Sequence, residues 1–135
     1  MAYWLIKSEP FKWSWDMQVK KKVTHWDGVR NHQAANNLRA MKKGDRAFFY
    51  HSNEGKEIVG VVKISCEAYP DPSDETGKFV MVDVEADRPL PRPVTLDEIR
   101  KTKALSGMAL LRQGRLSVSP VTEAEWNEIC ARGGL

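Results

Sequence analysis

The sequence has little cysteine and no long hydrophobic run. Its two cysteines, Cys66 and Cys130, form no CxxC motif and lie in apolar surroundings, so we expect buried free thiols in a reducing compartment. No apolar segment approaches the roughly 18 residues of a membrane-spanning helix. The N-terminal residues lack the features of a signal peptide. These absences predict a protein with no membrane partner, cytoplasmic or, in a eukaryote, nuclear.

The side-chain arrangements that most enzymes use are also missing. His51 and Ser52 are neighbours in a predicted strand, where successive side chains point to opposite faces. Cys66 lies in an apolar strand, which is a poor place for a reactive thiolate. No two histidines have the i, i+4 spacing of a helical metal site, and no glycine-rich loop could hold a phosphate. We therefore predict no catalytic residue, no metal and no cofactor.

What is present suits one folded domain spanning residues 1–135. Hydrophobic residues make up 41% of the chain and charged residues 29%, as in ordinary globular proteins. The net charge of +3 permits nucleic-acid binding without requiring it. Asp71 and Asp74 lie in and just after the proline-containing segment 70–73. We expect both to be solvated residues of a turn.

Periodicity and cap residues predict the order of the elements. Strands are expected at 3–8, 46–51, 58–64, 79–86 and 116–119, and helices from 15, 32, 96 and 123. The prolines at 89, 91 and 93 predict an extended connection, and 105–111 is ambiguous between helix and coil. The strands are too clustered for alternating βαβ units. The predicted fold is α+β, a small curved sheet or partly closed β-barrel of about five to six strands flanked by helices.

The segment from His25 to Asn31 places an aromatic, an acid, a glycine and a guanidinium before a helix. Asn31 is a good N-cap residue, and Gly44 is expected to end the helix. The segment itself has no alternating pattern, so Trp26 and Arg30 are expected on a loop, where binding residues are common. The alternative is that Trp26 is a core residue beneath that loop.

Aromatic side chains are interleaved with basic and amide side chains along the sequence. Aromatic faces stack on bases, amides bind base edges, and arginine or lysine binds phosphates. These residues therefore favour nucleic-acid binding modestly. The set comprises Trp4, Trp26, Phe49 and Tyr50, together with Lys7, Arg30, Asn31, Arg112, Gln113 and Arg115.

Several of these segments together resemble the EVE domain over nearly the whole chain. The matching segments are Tyr3 to Pro10, Trp26 to Asn31, Asn37 to Met41, Phe49 to Ser52, Ile58 to Gly60 and Arg115 to Val118. EVE domains belong to the PUA-like superfamily and are similar to YTH domains and to the thymocyte nuclear protein family. The resemblance implies a PUA-like β-barrel with peripheral helices that binds modified bases in DNA or RNA.

Similarity to YTH domains suggests individual site residues. Their Lys-Ser pair resembles Lys7-Ser8, and their pocket tryptophan resembles Trp26. YTH domains complete an aromatic cage with a later tryptophan that cannot be placed in this sequence. The predicted base-binding residues are Lys7, Ser8, Trp26, Asp27, Arg30, Asn31, Tyr50 and Ser52, and the predicted backbone contacts are Arg112, Gln113 and Arg115.

The function that follows is a non-catalytic reader, expected to be monomeric, that captures a modified cytosine or adenine of DNA or RNA in an aromatic pocket. A first alternative is an enzyme acting on a modified base, with Asp27 or His51 as acid or base. A second is a scaffold that binds a protein or a small metabolite in the same pocket.

Overall fold

The computed structural model describes residues 1–135 as six strands, five α-helices and one 3-10 turn. The strands are β1 (Tyr3–Ser8), β2 (Val23–Trp26), β3 (Arg46–His51), β4 (Glu57–Pro70), β5 (Val80–Thr95) and β6 (Val118–Val121). The helices are α1 (Trp15–Lys21), α2 (His32–Ala40), α3 (Leu96–Lys101), α4 (Ala109–Arg112) and α5 (Glu123–Gly133). The 3-10 turn, Lys103–Leu105, separates α3 from α4. The predicted α+β class and number of strands are confirmed.

All six strands form one mixed sheet in the order β2-β5-β4-β3-β1-β6. β1 runs parallel to β3, and the other neighbouring pairs are antiparallel. The prediction of a barrel is wrong in one respect, because the sheet is open. Register shifts beside Gly60 bend the long strands, but the edge strands β2 and β6, of four residues each, do not meet.

Side-chain alternation divides the core between the two faces of this sheet. In β3, Phe49 belongs to one hydrophobic cluster, with Leu38 of α2 and Trp15 of α1. Phe48 and Tyr50 belong to the other cluster, which includes residues of α3 and α5. Helices therefore cover both faces, and neighbouring residues of β3 serve different sides of the molecule.

Polar caps determine where the helices begin. Ser14, Asn31, Thr95 and Thr122 each accept a hydrogen bond from an amide of the first turn, and Thr122 completes a capping box. The prediction that Gly44 ends α2 is wrong. The helix ends at Ala40 with Met41 as its C-cap, and Gly44, with φ +95°, instead forms the turn into β3.

Strand β5 continues through the three prolines that predicted a connection. It pairs with β2 only over the residues opposite Val23–Trp26, and beyond Ala86 that edge is unpaired. Pro89 lies opposite Gly60 of β4, and the pairing with β4 shifts register on both sides of it. Proline is tolerated in such irregular, partly unpaired stretches of a strand.

Cys66 is exposed and Cys130 half-buried, and both are free thiols. The prediction of a buried thiol is therefore wrong for Cys66. This residue lies two positions after the buried Ile64, where β4 leaves the core. No helix is both long and apolar enough to cross a membrane.

Candidate functional site

A cavity with a volume of about 480 Å³ opens where β1 and β2 end. Two tryptophans line it, Trp13 and Trp26, so we call it the tryptophan cavity. Five predicted base-binding residues share this lining: Lys7, Ser8, Trp26, Asp27 and Arg30. Residues 7–9 and 24–30 are separated in sequence, and the fold brings them to one cavity.

Trp26 is the last residue of β2, not part of a loop as predicted. Its backbone pairs with Val82 of β5, and its side chain is 9% exposed. The indole meets the ring of Phe49 edge to face, with centroids 5.6 Å apart. Trp26 is therefore both a core residue and a wall of the cavity, so the two predicted alternatives are not exclusive.

Trp13 is an aromatic residue of the cavity that the sequence analysis does not predict. Its indole Nε1 donates to Oε1 of the buried Gln18 at 2.9 Å, and its carbonyl accepts from the Ser8 hydroxyl at 2.5 Å. These bonds fix both its backbone and its ring beside the cavity. Trp15, two residues later, packs instead into the core against Phe49, and nothing in the sequence distinguishes the two roles.

Arg30 is held by a buried carboxylate. Its guanidinium donates to Asp71 Oδ2 at 3.2 Å and to the Ser73 hydroxyl at 2.9 Å, and lies 5.5 Å from the centre of the Phe79 ring. The same Asp71 oxygen accepts from the Gly28 amide at 2.8 Å. Asp71 therefore fixes the loop that carries Asp27 to Arg30 beside the cavity.

The prediction that Asp71 is a solvated turn residue is wrong. Its side chain is buried, and burial alone would raise its pKa. Hydrogen bonds from Ser73, the Gly28 amide and Arg30 outweigh burial and lower the pKa to about 2. Ser73 is a local donor, but Gly28 and Arg30 belong to a segment about forty residues away, and the sequence could not show that this segment packs over Asp71.

His25 adds an oriented imidazole to the rim of the cavity. Its Nδ1 lies 2.9 Å from the Asp83 carboxylate and 2.9 Å from the Tyr69 hydroxyl. Burial and the hydrogen bond to Asp83 raise the pKa of Tyr69 to about 12. When Nδ1 carries the proton, Nε2 of the neutral ring is an acceptor for a ligand.

Three of the predicted base-binding residues lie outside the tryptophan cavity. Asn31 caps α2, accepting from the Ala34 amide at 2.9 Å. Tyr50 and Ser52 line a separate cavity of about 300 Å³, which we call the tyrosine cavity. Tyr50 follows Phe49 in β3 and therefore faces the opposite side of the sheet from the cluster that contains Trp26.

The residues predicted to contact the nucleic-acid backbone also do not share one cavity. Gln113 and Arg115 line a shallow third cavity together with Asn31. Arg112 lies beside them in sequence but donates from Nε to the Gly107 carbonyl at 2.8 Å. Part of the hydrogen-bonding capacity of its guanidinium is therefore already taken within the chain.

Comparisons with known proteins show the family of the chain. The model of the EVE domain family matches residues 2–132. The chain belongs to the EVE domain family. The PUA-like fold class implied by the resemblance is confirmed by its structural relatives.

Relatives of this EVE domain come from bacteria and from animals. The chain is 44% identical to thymocyte nuclear protein 1 of Rattus norvegicus, over 94% of this chain and 71% of the relative. It is 57% identical to the NMR structure of Rpa0253 from Rhodopseudomonas palustris, with a TM-score of 0.95, over 99% of this chain and 94% of that one. Human THYN1, solved in complex with 5-methylcytosine-containing DNA, is 36% identical with a TM-score of 0.86, over 100% of this chain and 99% of the human chain.

Proposed function

We propose that this EVE domain is a non-catalytic reader of nucleic acid that captures one modified base in the tryptophan cavity. One observation carries the proposal: two tryptophans, Trp13 and Trp26, line a single cavity at the surface. Its volume of about 480 Å³ lies within the range of small-ligand sites. The human relative solved with 5-methylcytosine-containing DNA makes that base the first ligand to test.

Stacking supplies the affinity for an extruded base. Taking a base out of a duplex costs a few kcal/mol, and less where the base pairs poorly or the strand is single. Stacking on an aromatic side chain returns about 1–3 kcal/mol per base. Because Trp26 is fixed by β2 and Phe49, little side-chain entropy is lost when a base stacks on it.

Polar groups of the cavity favour bases that carry an exocyclic amine. Asp27 is exposed at the rim, and Nε2 of His25 is an acceptor in the tautomer whose Nδ1 donates to Asp83. Carboxylates accept hydrogen bonds from the N4 amine of cytosine, whereas the O4 oxygen of thymine would face them as a second acceptor. Val29 adds an aliphatic side chain of the kind that a base methyl group packs against.

The enzyme alternative loses one of its two candidate residues. Nε2 of His51 accepts a hydrogen bond from the Trp15 amide at 3.0 Å, and His51 does not line the tryptophan cavity. A ring nitrogen used in this way is not free to act as a base. Asp27, the other candidate, does line the cavity. The binding experiment therefore includes a test for chemical conversion of the base.

The test is binding of labelled oligonucleotides that differ at a single base. The panel contains cytosine, 5-methylcytosine, adenine and N6-methyladenine in DNA and RNA, single-stranded and duplex. We expect one modified base to bind at least about tenfold more tightly than its unmodified parent, which corresponds to about 1.4 kcal/mol. Equal affinity across the panel contradicts the proposal. Conversion of any base, detected by mass spectrometry, supports the enzyme instead.

A further inference from the structure

The tyrosine cavity carries cationic side chains and no carboxylate among its lining residues. Lys7, Lys56 and Arg100 all line it. None of these three forms an ion pair with a carboxylate of the chain, unlike Arg30, which pairs with Asp71. The positive charge at this cavity is therefore not neutralised within the molecule.

Tyr50 gives this cavity a second polar feature that points to a ligand. Its side chain is 3% exposed, yet its hydroxyl has no hydrogen-bond partner in the chain although it lines the cavity. The hydroxyl is accessible from the cavity, so its unused hydrogen-bonding capacity is open to a ligand. Burial raises the pKa of Tyr50, and the charge of Arg100 opposes that rise. The hydroxyl is thus a protonated donor facing nearby cations.

Lys7 forms the wall between the two cavities. Its Nζ donates to the Gly114 carbonyl at 2.7 Å and lies 5.9 Å from the centre of the Tyr50 ring. Burial lowers the pKa of Lys7, because its charged form has lost water. A bound anion would compensate for that lost hydration.

We propose that the tyrosine cavity binds a phosphate group of the nucleic-acid backbone, held by Lys7, Arg100 and the Tyr50 hydroxyl. The non-bridging oxygens of a phosphodiester only accept hydrogen bonds, and each of these three groups donates. Hydrogen bonds between cations and phosphate are also stronger than neutral ones. Lys56 and Ser52 add further donors to the lining.

The position of Lys7 favours a backbone phosphate over free phosphate. Lys7 lines the tryptophan cavity as well as the tyrosine cavity. A strand whose base enters the first cavity carries a phosphate on each side of that nucleotide. The inference rests on the proposed function only in assigning the phosphate to the strand that supplies the base.

The first experiment removes one hydroxyl with Tyr50→Phe and uses Tyr3→Phe as its matched control, since Tyr3 lines neither cavity. The probes are an abasic oligodeoxynucleotide, the matching modified and unmodified strands, and inorganic phosphate alone. We expect Tyr50→Phe to weaken binding of all three strands about three- to tenfold, as for the loss of one hydrogen bond. The ratio between modified and unmodified strands stays unchanged, and Tyr3→Phe binds as the parent protein does.

The second experiment removes one charge with Arg100→Gln and uses Lys63→Gln as its control, because Lys63 is exposed on β4 and lines neither cavity. A lost phosphate contact should reduce the slope of log affinity against log salt by about 0.7 for a single strand. Lys63→Gln should leave the slope unchanged.

The outcomes separate this inference from the proposed function. If Tyr50→Phe and Arg100→Gln bind the abasic strand as the parent does, the inference is wrong even where the parent protein discriminates modified bases. If inorganic phosphate saturates the cavity and the abasic strand does not displace it, the backbone assignment is wrong. If the parent ignores base modification but Tyr50→Phe still weakens abasic binding, the inference stands and the reader proposal fails.

Discussion

Trp26 and Phe49 meet edge to face, with ring centroids 5.6 Å apart and ring planes at 81°. Phe49 also meets Trp15 at 5.3 Å and His51 at 5.8 Å. The wall of the tryptophan cavity is thus continuous with the aromatic core. A substitution at Trp26 therefore acts on stability and on binding together, and the two effects need a control that separates them.

Trp26→Leu is predicted to remove base discrimination, and Trp126→Leu is its matched control. Trp126 is equally buried, but it stacks on Tyr3 and Phe48 in the other hydrophobic cluster. Leucine retains apolar contact. Both variants should therefore lose less free energy of unfolding than a tryptophan-to-alanine change, which costs about 3–5 kcal/mol. Trp26→Leu should also lose about 1–3 kcal/mol of binding to the modified strand, or about 5- to 150-fold. Denaturant unfolding and anisotropy on the same samples test this. Equal binding losses in both variants contradict a stacking role.

Asp71→Asn is predicted to flatten the acid dependence of stability. The folded-state pKa of about 2 lies below the ordinary 3.8, so the unfolded chain binds the proton more readily. Asp71 therefore stabilises the fold above pH 4, by about 2 kcal/mol at most, and that contribution is lost as the pH falls from 4 through the folded pKa of about 2. Unfolding free energies of Asp71→Asn should change less over this interval than those of the parent. The exposed Asp97 provides the control, Asp97→Asn; the same flattening there would contradict the assignment.

His51 is predicted to make stability depend on pH near neutrality. Burial lowers its pKa below 6.5, and the neutral Nε2 accepts the Trp15 amide. The unfolded state binds the proton first, so this contribution is full above pH 6.5 and is lost as the pH falls through the folded pKa. His51→Gln should remove that part of the pH dependence, whereas the exposed His32→Gln should retain it. An imidazole titration by NMR at or above 6.5 would contradict the burial argument.

Gly60→Ala is predicted to destabilise the fold by about 1–3 kcal/mol, as an overpacked core does. A Cβ at Gly60 would overlap the Trp15 ring, which occupies that space. Gly107→Ala is the control, because a Cβ there meets nothing within 4 Å. Urea unfolding compares the two. A Gly60→Ala protein as stable as Gly107→Ala would show that Trp15 can move aside.

Arg115→Ala is predicted to weaken binding equally for modified and unmodified strands and to reduce the salt slope by about 0.7–0.9. Arg115 lines the third cavity. Arg112→Ala should change the slope less, because that guanidinium already donates to Gly107. A loss of discrimination without a change in slope would instead place Arg115 against the base.

Local signals in the sequence were enough to predict β1, β3 and α5. The aromatic content of 46–51 and the capping box at Thr122 are each read from adjacent residues alone. Positions that depend on a distant partner were not predictable. Trp26 became a strand residue because β5 pairs with it, and Asp71 became buried because Gly28 and Arg30 surround it.

The candidate site was predictable as a set of residue types but not as two separate cavities. Lys7, Ser8 and Trp26, the residues that the family resemblance suggests, line one cavity. The prediction places Tyr50 with them, but alternation from Phe49 puts Tyr50 on the other face. Trp13 is not predictable as a cavity residue, because its position depends on the buried Gln18, which no local pattern marks as a partner.

The pairing of β1 with β6 has a kinetic consequence. Trp4 pairs with Pro120, so two strands from opposite ends of the sequence must meet before that edge of the sheet exists. Closing such a large loop carries an entropic cost before any contact repays it, and folds rich in such pairings form slowly. The Lys7 amide bonds to the Ser117 carbonyl at 3.0 Å, and both residues line the tryptophan cavity. That cavity therefore cannot form early in folding, and a partly folded chain has no complete site with which to hold a base.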